Sequence, residues 1–219
     1  MTYILIDLDD TIYPASSGLH KEIDRRITEF VSRFLNIGFK EAQTCRRNLV
    51  NKYGTTLDGL VKRHGLSDME QLLEYIHPAN IANHLRKDPG LRQALSSIPL
   101  PKSILTNAPI EHAGRVLNFL GVREIFEHIF DIRFNRFQNK PRIASYTNAL
   151  KFLSKEPQEV LLVDDRLDYL IPFRDLGAKV LLVDENDNKQ KGLQSVPHIR
   201  NIKQLPEFLE DQLPENTVI

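Results

Sequence analysis

Apolar positions follow two rhythms along this 219-residue chain, and the change between them divides it. Tyr3-Ile4-Leu5-Ile6 is a short apolar run, halted by Asp7-Leu8-Asp9-Asp10-Thr11, and it reads as a buried strand. Turn residues follow at Tyr13-Pro14-Ala15-Ser16-Ser17-Gly18. Leu19, Ile23, Ile27, Phe30, Val31 and Phe34 then recur at three- and four-residue steps, which predicts an amphipathic helix ending near Asn36-Ile37-Gly38. Further helices are predicted over residues 40–52, 56–63 and 68–75, and His77-Pro78 breaks the run. Residues 17–88 therefore read as a helical block without a convincing strand.

From Pro89 onward strand-like runs alternate with helical ones, the signature of βα units in a parallel sheet. Strands are predicted over residues 102–105, 128–134, 159–163 and 179–183. Helices are predicted over 90–97, 111–120 and 142–152, and another ends at Leu176 with Gly177 as its cap. Residues 184–191 read as a polar loop and 204–213 as a terminal helix. This series needs the first strand to complete its sheet. The expected fold is α/β, a Rossmann-like, mainly parallel sheet flanked by helices, with a helical cap inserted after the first strand. The expected domains are a core of residues 1–16 and 89–219 and a cap of residues 17–88.

Composition narrows the partners rather than the fold. Apolar residues make up 41% and charged residues 26%, as in an ordinary soluble globular chain. Lys and Arg number 29, as do Asp and Glu, so there is no general attraction to a nucleic acid polymer or an anionic membrane. No apolar run approaches the roughly 18 residues of a membrane span, and no signal segment precedes the first strand. A cytoplasmic location is expected. The single cysteine, Cys45, cannot form an internal disulfide and falls within a helical pattern.

Candidate chemistry lies where strands end. Residues two apart on a strand point the same way, so Asp7 and Asp9 should project together from an edge where open α/β sheets place ligands. Two close carboxylates are held by a cation, or one of them keeps its proton. The second strand of the series ends at Thr106-Asn107, and the fourth at Asp164-Asp165. In a parallel sheet these ends share one edge. Thr106 and Asn107 can close a turn, or their hydroxyl, amide and nearby N–H groups can bind phosphate oxygens. Lys140, before Pro141, reads as a surface lysine or as the counter-charge to a phosphate and the carboxylates. One carboxylate of the 164–165 pair would suffice as a helix cap, whereas a hard cation uses both. The set meets the needs of phosphoryl transfer through a covalent carboxylate intermediate on a small phosphorylated substrate.

Asp7-Leu-Asp9-Asp-Thr11, Leu105-Thr106-Asn107, Lys140-Pro141 and Val163-Asp164-Asp165, in this order, resemble the four motifs of the haloacid dehalogenase-like hydrolase superfamily. The resemblance implies Asp7 as nucleophile and Asp9 as general acid/base, with the Asp9 backbone carbonyl on Mg²⁺. It implies phosphate binding by Thr106, Asn107 and Lys140, and a metal site made of Asp7, Asp9, Asp164 and Asp165. Asp9 favours phosphatase over dehalogenase chemistry, because dehalogenases lack an acid at that place. Many members carry a further acid four residues after the last motif, where this chain has Tyr169 counting from Asp165, or Asp168 counting from Asp164.

Asp9-Asp10-Thr11-Ile12-Tyr13-Pro14 and Tyr53-Gly54-Thr55-Thr56 also resemble pyrimidine 5′-nucleotidases. In that reading Tyr13 or Tyr53 stacks on a base and Thr55 or Thr56 bonds its edge. As plain structure, Tyr53-Gly54 is a helix end. The expected substrate is a pyrimidine nucleoside 5′-monophosphate, and a sugar-phosphate or phosphoglycolate phosphatase is the enzymatic alternative. A phospho-receiver domain uses similar groups but has no helical insertion after its first strand, and a non-catalytic nucleotide-binding scaffold is opposed by the presence of both Asp7 and Asp9. Hinges between the expected domains fall near residues 14–18 and 88–90.

Overall fold

The structure is a computed structural model, and it describes residues 1–186 and 196–211. Among these, six strands form one sheet: β1 (Tyr3–Ile6), β2 (Lys102–Leu105), β3 (Ile129–Phe130), β4 (Val160–Asp164), β5 (Lys179–Val183) and β6 (His198–Ile199). Their order is β3-β2-β1-β4-β5-β6 and every pairing is parallel. Helices accompany the sheet at α5 (Pro89–Ser97), α6 (Ile110–Leu120), α7 (Ile143–Leu153), α8 (Leu167–Asp175) and α9 (Leu205–Glu210). Every residue of β1, β2 and β4 is buried, as expected of strands covered on both faces. Tyr3 and Leu5 face a core shared with Tyr146, Leu150, Leu170 and Phe173 of α7 and α8.

Two compact units emerge, Met1–Ser17 with Ala82–Ile219, and Gly18–Ile81. The second contains α1 (Leu19–Leu35), α2 (Phe39–Tyr53), α3 (Thr56–His64) and α4 (Met69–Ile76). Asn36 closes α1 at a left-handed φ of 53°, a conformation that asparagine tolerates. Helices α2 and α3 pack closely because Gly59 has no side chain. A Cβ there would lie 2.6 Å from Leu49 Cβ. Residues 82–88, which the sequence groups with the helical block, fall in the α/β unit. Asp88 explains this, since its carboxylate caps α5 through the Gly90 N–H and pairs with Lys203 Nζ at 2.7 Å.

Three expectations change. The strand expected over residues 128–134 is reduced to Ile129–Phe130, because Asp131 accepts the N–H groups of Ile110 and Phe134 and turns the chain. The sequence reading missed β6, a two-residue strand with too few positions to show a period. The terminal helix ends at Glu210, while residues 212–213 of the expected helix and 187–191 of the expected loop lie outside the described residues. No helix among the described residues is long and apolar enough to cross a membrane.

Candidate active site

Strand register gathers the acidic residues. Ile6 of β1 pairs with Val163 of β4, so the next residue on each strand, Asp7 and Asp164, stand side by side. The Asp7 N–H continues the ladder to the Val163 carbonyl at 2.9 Å. On the other flank Ile6 pairs with Ile104 of β2, which sets Thr106 just beyond the level of Asp7. After β1 the chain turns sharply, with Ile12 N–H donating to the Leu8 carbonyl and Asp10 in the left-handed region at φ 62°. The turn brings the Thr11 hydroxyl to Asp7 Oδ2 at 3.3 Å.

Lys140 lies at the centre of this cluster. It is 1% exposed, and its Nζ donates to Asp7 Oδ1 at 2.7 Å and to Asp164 Oδ2 at 2.6 Å. Burial works against the ammonium, but Asp164 and Asp7 outweigh it and its pKa is raised. Asp7 is itself buried, and that burial pushes its carboxyl up to about 7 despite the opposing pull of Lys140. Asp165 is raised to about 8, by burial first and then by the negative charge of Asp7 and Asp164. Asp164 is fully buried, and its Oδ1 also accepts the Arg166 N–H at 2.9 Å.

Asp7, Asp164 and Asp165 each place an oxygen so that the three lie within 4.8 Å of one another. Three carboxylates share a water-poor corner with a single ammonium, and burial first, then their mutual repulsion, raises the acids at Asp7 and Asp165. A hard divalent cation fits such an all-oxygen donor set. The Asp9 side chain is not in this cluster, and only its backbone carbonyl remains a candidate contact.

Other expected site residues are placed as follows. Thr106 is buried, and its Oγ1 accepts the Ala108 N–H at 3.0 Å. The Asn107 side chain is engaged within the protein. Its Oδ1 accepts the Lys140 N–H at 2.8 Å and its Nδ2 donates to the Lys140 carbonyl at 3.1 Å, so the amide clamps the lysine backbone. Tyr13 is not a base-stacking surface. Its ring is 3% exposed and its hydroxyl donates to Asp9 Oδ1 at 2.5 Å. Burial, followed by the Asp9 charge, raises the Tyr13 pKa well above its usual value.

Tyr53, Thr55 and Thr56 belong to the helical unit. Tyr53 ends α2 beneath the Lys52 ammonium, Thr55 caps α3 through the Asp58 N–H, and Thr56 is buried in the first turn of α3. Asp168 is an exposed partner of Arg166 and stands apart from the carboxylate cluster. Tyr169 lies against the site instead. Lys140 Nζ is 5.2 Å from the centre of its ring, and the Arg166 guanidinium is 4.5 Å from it.

His112 is a residue that sequence reasoning missed. It lies in the first turn of α6 with Nε2 2.8 Å from Asp9 Oδ1. Its only sequence signal is its place three residues past Pro109, at the start of the helix that follows Thr106-Asn107.

Among known proteins, residues 1–177 match the family described as haloacid dehalogenase-like hydrolase. Glyceraldehyde 3-phosphate phosphatase of Pyrococcus furiosus is 27% identical over 75% of this chain and 72% of its own length. The protein of the same name from Methanocaldococcus jannaschii is 29% identical over 80% of this chain and 81% of its own. Phosphate metabolism protein 8 of Saccharomyces cerevisiae is 24% identical over 59% of this chain, which spans 43% of that protein's length. Among solved structures, a phosphatase of Thermococcus onnurineus superposes with a TM-score of 0.66 at 20% identity, covering 95% of this chain and 98% of the other. L-2-haloacid dehalogenase of Xanthobacter autotrophicus superposes with a TM-score of 0.65 at 14% identity, covering 97% and 100%. These superpositions speak to the fold, and the family match covers most of the chain: it belongs to the haloacid dehalogenase-like hydrolases.

Proposed function

We propose that the chain is a phosphomonoesterase that passes the phosphoryl group through Asp7. The observation that carries this reading is the Lys140 ammonium held between Asp7 and Asp164 at 2.7 and 2.6 Å, beside a third carboxylate. Such a corner tolerates an incoming phosphate only if further positive charge accompanies it. Mg²⁺ held by Asp7, Asp164 and Asp165 would supply that charge and stabilise the phosphate oxygens as the reaction proceeds. Lys140 holds the Asp7 carboxylate in place and offsets its charge. Asp7 forms a bond to phosphorus as the ester P–O bond breaks, and Asp9 gives its proton to the departing oxygen. Water then attacks the aspartyl-phosphate, Asp9 takes the water's proton, and inorganic phosphate leaves with Asp7 restored. Thr106, at the end of β2, is the candidate side-chain ligand of the phosphate.

The favoured substrates are short sugar phosphates. Two archaeal relatives bear the name glyceraldehyde 3-phosphate phosphatase, and Tyr13 has no exposed ring to offer a base. A pyrimidine nucleoside 5′-monophosphate is the second reading, carried by the Tyr53-Gly54-Thr55-Thr56 segment, with the helical unit as a candidate cap that selects the leaving group. Phosphate release from triose phosphates, phosphoglycolate, UMP and CMP, with and without Mg²⁺, tests both. Mg²⁺-dependent release, fastest from the triose phosphates, is expected. Faster release from UMP and CMP would favour the second reading, and no release from any ester would refute the phosphomonoesterase.

A further inference from the structure

Two hydrogen-bonding side chains from separate elements meet on one oxygen of Asp9. The Tyr13 hydroxyl reaches Oδ1 from the turn after β1 at 2.5 Å, and His112 Nε2 reaches the same atom from α6 at 2.8 Å. Both side chains are buried, His112 completely. A carboxyl group otherwise turns readily about its last torsion, because such torsions are broad. Two donors anchored in different elements remove that freedom and so fix the direction of the second oxygen as well. With the Tyr13 hydroxyl and the Nε2–H tautomer of His112 both donating to Oδ1, Oδ2 is the oxygen assigned to the acid step. His112 is tied to the phosphate end of the site too, since α6 begins just after Thr106-Asn107 and its Ile110 N–H is held by Asp131 at 3.0 Å.

We propose that His112 and Tyr13 are positioning residues that hold the Asp9 carboxyl at the angle from which Oδ2 protonates the departing oxygen. The inference rests on the phosphomonoesterase reading and on Asp9 as its acid. In that step the ester P–O bond breaks, its electron pair remains on the leaving oxygen, and the Asp9 proton moves to that oxygen while Asp7 bonds to phosphorus. An alkyl ester needs the proton, because an alkoxide is a poor leaving group. A nitrophenolate departs without it. The specificity constant kcat/KM covers the reaction only up to formation of the aspartyl-phosphate, so it isolates this step from the later attack of water.

The experiment compares kcat/KM for glycerol phosphate and 4-nitrophenyl phosphate, with Mg²⁺ present, in the wild type and in His112→Phe, His112→Gln and Tyr13→Phe. Removing either donor is expected to lower the alkyl-ester value about 10- to 100-fold and the nitrophenyl value by no more than about threefold. His112→Gln keeps an N–H donor and is expected to recover most of the alkyl-ester loss. Equal losses on both esters, or an unchanged alkyl-ester value, would overturn the positioning role. Should His112→Phe fail to fold, Tyr13→Phe, which deletes a single oxygen, decides the matter. A wild type that hydrolyses neither ester would instead remove the phosphomonoesterase reading, and this inference with it.

Discussion

Replacing Lys140 by Met keeps most of the side chain's shape and deletes the charge between Asp7 and Asp164. The lysine is 1% exposed, with contacts of 2.7 and 2.6 Å to the two carboxylates. Deleting one partner of a buried ion pair costs about 3–5 kcal/mol, because the other is left without compensation. Proton uptake sets a ceiling on that cost. Holding an aspartic acid of ordinary pKa in its neutral form at pH 7 costs about 4 kcal/mol, and an abandoned carboxylate does no worse than that. For a chain of this size each kcal/mol moves the melting temperature by about 2–4 °C, so a cost of about 3–4 kcal/mol should make the variant melt about 6–16 °C below wild type in EDTA. Mg²⁺ should then raise the variant's melting temperature by more than it raises the wild type's, since a more negative corner gains more from a cation. Differential scanning calorimetry at neutral pH, in EDTA and in MgCl₂, reads both effects. A variant that melts within about 2 °C of wild type in EDTA, with the same Mg²⁺ increment, would refute the charge balance described here. Adding Asp164→Asn to Lys140→Met should recover part of the loss, and no recovery would show that the two groups do not share one balance.

Asp7→Asn is expected to lower kcat by about 10⁴-fold or more, and to melt in EDTA at or above the wild-type temperature because it removes a repelled carboxylate. Phosphate release at the wild-type rate would eliminate Asp7 as nucleophile. Gly59→Ala forces a Cβ to within 2.6 Å of Leu49 Cβ, so the helical unit should lose about 1–3 kcal/mol in urea denaturation. Unchanged stability would mean that α2 and α3 separate without cost. The carboxyl of Glu22 is lowered from 4.5 to about 2 by hydrogen bonds from Arg25 and Arg26. A depressed folded-state pKa contributes stability in full above the ordinary value and loses it as pH falls through the folded one. Glu22→Gln should therefore flatten the stability profile between about pH 4.5 and 2, by no more than about 1 kcal/mol for a surface pair. A loss appearing above that window would contradict the assignment.

Much of the α/β unit was legible because its signals are local. The run from Tyr3 to Ile6 and the carboxylates that end it announce a strand and its functional edge without reference to anything else. Residues 128–134 misled because Phe130 and Phe134 look alike in sequence, while the turn between them depends on Asp131 accepting an N–H from a distant helix. The site divides the same way. That Asp7, Asp164 and Asp165 meet follows from parallel strand ends, whereas Lys140, in the turn between β3 and α7, is placed with them by the motif order. The roles of Asn107 and Tyr13 follow from neither, because both depend on which partner a side chain finds once the chain is packed. His112 was out of reach for the same reason, since a lone histidine at a helix start resembles any other. The question between Asp168 and Tyr169 turned on helix phase, which places Asp168 in an exposed pair with Arg166 and leaves Tyr169 against Lys140.

The central place of β1 bears on how the protein is made. Its sheet neighbours, β2 and β4, come from residues 102–105 and 160–164, so the Tyr3–Ile6 segment leaves the ribosome long before either exists. Until both arrive, four apolar residues have unsatisfied strand edges on each side, a condition that invites pairing with other chains. The aspartate at the end of this segment cannot gain its lysine partner until Lys140 has been synthesised. Nascent-chain folding should therefore proceed with the helical block Gly18–Ile81 forming first, while β1 waits for β2 and β4 to enclose it.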